Sequence, residues 1–136
     1  MVSAPCSDNS ATCAVRAMTL TIRGLILEAH DTLDRFWFGR DVSIVEQTQA
    51  TVTVHLTIGA DLFVQAFLGE SSQRLSFALV GQSGRLYGRD REYGTWHRHP
   101  FGQPEQHELT PEGMSTQTLT QFMAEVEQIL VEHDLL

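Results

Sequence analysis

Lysine is absent from the 136-residue chain, and all nine of its basic side chains are arginine. Cysteine occurs twice, at Cys6 and Cys13, both in one polar stretch. Two cysteines placed together and far from the histidine-rich part suggest neither a disulfide-stapled core nor a Cys/His zinc site. No apolar run reaches the length of a membrane span, and the first 17 residues have neither the basic region nor the continuous apolar segment of a secretory signal. Neither G-x-S-x-G nor a Walker or Rossmann glycine pattern occurs, so nothing supports a serine nucleophile elbow or a glycine-rich nucleotide loop. A single soluble, cytoplasmic domain is the expectation, with 42% hydrophobic residues to form one core.

The charge that is present is unevenly spread. Seventeen acids against nine arginines give −8 overall, which alone argues against general polyanion binding. Between Arg74 and Phe101, however, five arginines face only Asp90 and Glu92, a local +3, and the rest of the chain carries four arginines and 15 acids, or −11. Within that band the stretch from Gly84 to His107 holds Arg85, Arg89, Arg91, Arg98, His97, His99, His107, Trp96, Tyr87 and Tyr93. Arginine grips phosphate bidentately and histidine moves protons near neutrality, so this mixture is suited to an anion or nucleic-acid site.

Residues 1–17 are small and polar without periodicity and read as a disordered tail, followed by one domain over 18–136. From Thr21, apolar residues at Ile22, Leu25, Ile26, Ala29, Leu33, Phe36 and Trp37 mark a helix ending near Gly39. The period then becomes two. Val42 and Ile44 open a strand, Val52 to Ile58 alternate with threonine and His55, and the apolar run 60–69 reads as a strand covered on both faces. Leu75, Phe77 and Leu79 form the next strand, which a short Gly81 to Gly84 turn joins to Arg85-Leu86-Tyr87. Four prolines and glycines, Pro100, Gly102, Pro104 and Pro111, keep the histidine-rich exit irregular. Leu119, Phe122, Met123, Val126, Ile129 and Leu130 then repeat at helical spacing, with Glu125, Glu127 and Glu132 on the other side and Thr118 with Gln121 as a capping box. The expected fold is α+β: an N-terminal helix, an antiparallel meander of four to five strands, a His-rich irregular loop and a C-terminal helix.

Three chemistries suit the cluster. In metal-free phosphodiester cleavage, the favoured one, His97 and His99 exchange protons and His107 assists. Arg89, Arg91 and Arg98 contact phosphate beside Asp90, while Trp96 and Tyr93 stack on bases. No cofactor is then needed. In the second, His97, His99 and His107 hold a zinc or manganese ion, with Asp90, Glu105 or Glu108 completing the shell, as in a metal-dependent hydrolase. The third is a non-catalytic module whose open sheet and basic edge bind a protein or nucleic acid. The structural alternative for Tyr87 and Phe101 is packing against the core.

The run QRLSFALVGQSGRLYGRDREYGTWHRHPFGQPEQHEL, followed by the TLTQFMAEVEQIL helix, resembles the TumE-type toxins of bacterial and archaeal toxin-antitoxin systems. The matching positions are Arg89 and Asp90, then His97, His99, Pro100 and His107, then Thr118 and Leu119. The resemblance implies a small α+β toxin that inhibits growth, acts on RNA and is neutralised by a helix-turn-helix antitoxin; the ribonuclease expectation comes from the His/Arg chemistry. A second copy of the chain is a further candidate partner, and a membrane is not.

Overall fold

A computed structural model describes residues 19–136, and the expected tail with both cysteines lies outside them. The first element follows from a capped amphipathic stretch. Thr21 accepts the Gly24 N–H at 3.0 Å, and helix α1 (Ile22–Arg35) then buries Ile22, Leu25, Ala29 and Thr32 along one side. At the other end of the chain, Thr118 and Gln121 form the expected capping box for helix α2 (Leu119–Glu132), which buries Leu119, Phe122, Met123, Val126 and Leu130. Neither helix is long and apolar enough to cross a membrane.

Between the helices run β1 (Asp41–Gln47), β2 (Thr51–Gly59), β3 (Leu62–Gly69), β4 (Arg74–Gly81), β5 (Gly84–Glu92) and β6 (Thr95–His99), paired in sequence order as one antiparallel meander. The architecture is the expected α+β, with six strands where four or five were anticipated. The added strand comes from the turn at Tyr93 (φ 52°) and Gly94 (φ 78°). Two consecutive positive φ angles suit the twist of a two-residue hairpin, and they send the chain straight back along β5. The segment expected to be an irregular loop therefore begins as a strand, with Asp90 opposite His97 and Gly88 opposite His99.

Side-chain alternation gives the sheet two unlike faces. Val54, Ala66 and Phe77 occupy one cross-strand row and join the residues of both helices in a single buried cluster. The rows flanking it are Thr53, Phe67, Ser76, Asp90 and His97 on one side and His55, Gln65, Ala78, Gly88 and His99 on the other. These rows point away from the helices. Strand β3 is accordingly covered on one side only: Val64, Ala66 and Leu68 are buried, whereas Phe63, Gln65 and Phe67 stay half-buried on the helix-free side. His55 on that side pairs across the strands, its Nε2 2.9 Å from Gln65 Oε1.

Candidate functional site

The alternation that builds the sheet also divides the basic band. Tyr87, Arg89, Arg91, Trp96 and Arg98 point toward the helices, while Asp90, His97 and His99 point the other way. Arg89 is 1% exposed. Its Nε and Nη2 donate to the two carboxylate oxygens of Glu125 at 2.8 and 2.7 Å, and its Nη1 donates to the Glu112 and Gly113 carbonyls at 2.9 and 3.3 Å. Glu125 thus faces the core, not the outer side of its helix. It also accepts the Tyr87 hydroxyl at 2.7 Å. Burial, followed by this hydrogen bond and the Glu125 charge, pushes the Tyr87 phenol up to about 12. Arg91 is buried too, donating from Nε to the Gln73 carbonyl at 2.9 Å and lying 5.8 Å from the ring centre of the buried Trp96. Arg98 forms a two-pronged pair with Glu108, which raises the guanidinium pKa and lowers that of the carboxyl.

The cations and the stacking ring expected beside the histidines are therefore elsewhere. Arg89, Arg91 and Trp96 are built into the core face, and Arg98 ties β6 to the loop at Glu108, because each is an odd or even neighbour of the wrong parity to share a face with His97. Tyr93 is 99% exposed at the tip of the β5–β6 hairpin.

The structure does bring His97, His99, His107 and Asp90 together. His97 Nε2 lies 3.1 Å from His99 Nε2, and Asp90 Oδ2 lies 3.0 Å from His99 Nε2 and 3.6 Å from His97 Nε2. The exposed His107 ring stacks parallel to His97 at 4.8 Å between centres and stands edge-on to His99 at 4.6 Å. One ligand atom from each of the three histidines falls within 4.8 Å of the others. The outer nitrogen of His99, Nδ1, is 2.8 Å from the Pro104 carbonyl. A carbonyl only accepts, so Nδ1 carries the proton and Nε2 is directed at Asp90 and His97.

Two further residues frame the cluster and were missed in sequence. Arg85 donates from Nη2 to Asp90 Oδ1 at 2.8 Å and from Nη1 to Oδ2 at 3.3 Å, and the Ser76 hydroxyl donates to Oδ1 at 2.7 Å. Strict alternation places Arg85 with Tyr87 and Arg89 on the core face. A bulge in the β4–β5 pairing, where Leu79 meets Tyr87 but Val80 meets Arg85, turns it over. Its guanidinium then lies across Gly88: a Cβ there would stand 2.0 Å from Nη2. Ser76 was detectable, since it shares parity with Ala78 on a strand whose other side is Leu75 and Phe77.

The electrostatics fit cation binding. Burial pushes Asp90 up, but the hydrogen bonds from Arg85 and Ser76 and the Arg85 charge outweigh it and hold the carboxyl below its ordinary range. Burial lowers the His97 pKa, and the neighbouring His99 and His107 add to that against the pull of Asp90, which keeps its lone pair available near neutrality. A tetrahedral zinc with bonds of about 2.0–2.1 Å has ligand atoms roughly 3.3 Å apart. The separations of 3.0, 3.1 and 3.6 Å bracket that edge. A metal-free acid–base pair fits less well, because the acid and base must flank a phosphate and the two imidazole nitrogens are in contact. No family model, curated protein or solved structure matches this chain.

Proposed function

We propose that this protein is a divalent-metal-dependent phosphodiesterase directed at RNA, with His97, His99, His107 and Asp90 as its centre. The observation that carries this reading is the convergence of two histidine Nε2 atoms and one carboxylate oxygen at the spacing of a tetrahedral coordination edge. An ion held there would supply Lewis acidity toward a phosphoryl oxygen and make a water more acidic. The protein's own contribution is positional. Pro104 fixes the His99 tautomer, Ser76 and Arg85 orient Asp90, and Arg85 provides a cation beside the centre for a phosphate oxygen. The resemblance to TumE-type toxins supports RNA as the target, growth inhibition as the consequence and a helix-turn-helix antitoxin as the partner.

The test is metal content and RNA integrity together. The full chain is loaded with zinc or manganese, desalted and analysed by elemental mass spectrometry, and its cleavage of single-stranded RNA is followed with and without chelator. One ion per chain, lost in the His97→Ala/His99→Ala variant together with cleavage, supports the proposal. Cleavage indifferent to chelator returns the reading to metal-free histidine catalysis. Tight metal binding without cleavage makes the ion structural and the protein a binding module.

A further inference from the structure

The centre lies on a sheet face that neither described helix covers, and the side chains sharing that face have a use the core does not give them. Phe67 occupies the same cross-strand row as Ser76, Asp90 and His97. With strands roughly 4.8 Å apart, its Cα is about 10 Å from that of Asp90. Phe63 lies four residues earlier on β3 and already stacks on His55, ring centres 4.2 Å apart at 24°, with His55 held by Gln65. Neither phenylalanine belongs to the core cluster. Phe67 has polar partners on both sides, Thr53 and Ser76, and Phe63 lies between Thr57 and Val80, with Gln65 between the two phenylalanines on this face, so the face offers separate rings in place of a continuous apolar patch. That pattern suits flat bases better than a protein partner or a second copy.

Charge sets the direction of approach. By register Arg74 and Arg85 lie on this face, one on each side of the Asp90–His97 row, opposed by Asp90 and Glu92. Two positive and two negative charges cancel, and a divalent ion at the centre leaves a net +2. Strand β1 has Asp41 and Glu46 opposite Thr57 and Thr53 of this face and adds no arginine to it. A polyanion is therefore favoured over β3–β6 and disfavoured at β1.

We infer that the helix-free face of β3–β6 is the substrate track of the centre, binding single-stranded RNA with a base stacked on Phe67 and neighbouring phosphates at Arg74, Arg85 and the bound ion. The inference rests on the proposed metal centre for its charge and deepens it by naming the substrate's form. Single strands are selected because a stacked, paired base presents no free ring to a flat sheet.

The experiment measures fluorescence anisotropy of a labelled oligouridylate with the zinc-loaded full chain, the strand's length being checked after each titration, alongside its RNA duplex. The wild type binds the single strand and prefers it to the duplex. Phe67→Ala weakens binding roughly five- to hundred-fold, the range for loss of one base stack, while Phe67→Tyr retains it. Zinc content and urea midpoint of Phe67→Ala stay at wild-type values, and Phe63→Ala provides a second variant should Phe67→Ala fold poorly. Equal affinity in wild type, Phe67→Ala and Phe63→Ala overturns the track, as does preference for duplex. So does a wild-type dimer in sedimentation that Phe67→Ala dissociates, since the face would then be covered by a second copy. The two readings fail separately: zinc bound without oligonucleotide binding sinks the track alone, and Phe67-dependent binding in a chain that takes up no zinc sinks the metal centre alone.

Discussion

Arg89→Met separates a core arginine from a phosphate-binding one. In the structure its side chain is 2% exposed and satisfied by both oxygens of Glu125 and by two backbone carbonyls. Methionine fills much of the space but leaves the Glu125 carboxylate facing the Tyr87 hydroxyl alone. Breaking a buried ion pair from one side costs roughly 3–5 kcal/mol. Glu125 is 27% exposed, and water reaching it places this pair at the lower end. About 3 kcal/mol against a urea slope of about 1.5 kcal/mol/M lowers the midpoint by about 2 M. Unfolding is followed by fluorescence of the buried Trp96. The double variant Arg89→Met/Glu125→Leu recovers most of the loss, because removing both charges leaves no uncompensated ion. A phosphate-contacting Arg89 predicts the reverse: little change in midpoint, a loss of RNA affinity and no recovery in the double variant. A midpoint change equivalent to under about 1 kcal/mol, the range of an exposed pair, would refute the core assignment.

Gly88→Ala acts on the site through Arg85. Its Cβ would stand 2.0 Å from Arg85 Nη2 and 2.4 Å from Nε, atoms at the end of a flexible chain, so Arg85 swings away from Asp90. Stability falls no further than in Arg85→Ala, since both variants leave Asp90 without its guanidinium and Gly→Ala also narrows the unfolded ensemble, and oligonucleotide affinity falls as far as in Arg85→Ala; wild-type affinity in Gly88→Ala argues against a role for Arg85. Tyr87→Phe alters the alkaline limb of stability. The folded phenol, pushed up to about 12, keeps its proton where the unfolded one releases it at its ordinary 10. Its contribution is present below pH 10 and is lost as pH rises through about 12. Urea midpoints measured across that window should fall less steeply in Tyr87→Phe, and identical slopes would dismiss the linkage. Thr118→Ala removes one half of the α2 capping box and costs about 1 kcal/mol, which Thr118→Ser restores. A thermal melt unchanged in Thr118→Ala would show the cap to be redundant with Glu28, which accepts the Leu119 N–H at 3.1 Å.

The helices and the meander were legible because their apolar periods are long and regular: Ile22 to Leu33 at helical spacing, Val52 to Ile58 in strict alternation, Thr118 with Gln121 as a box. The sixth strand was not. Its turn is Tyr93-Gly94, and a bulky residue at positive φ gives no turn signal of the Asn-Gly kind. Arg85 was hidden by the bulge, which reverses parity within three residues and has no marker in Gly84-Arg85-Leu86-Tyr87. The three histidines were recognisable by type, and the alternation of Trp96-His97-Arg98-His99 already set both imidazoles on one side.

The burial of Arg89 and Arg91, by contrast, was readable from parity alone. On a pleated sheet, cations that are close in sequence need not share a face. Arg89 and Arg91 share the parity of Tyr87, and if Tyr87 packs in the core then both arginines enter it too. A buried guanidinium requires a carboxylate partner, and the search for one leads to Glu125, between Phe122 and Val126 at the margin of the apolar stripe of α2. The local +3 of the sequence therefore does not amount to a +3 surface. Arg89 is neutralised from α2 and Arg98 from Glu108, which leaves the histidine face near electrical balance. A polyanion needs added positive charge to settle there, and the cluster of three histidines with Asp90 is the place on that face where a divalent cation can supply it.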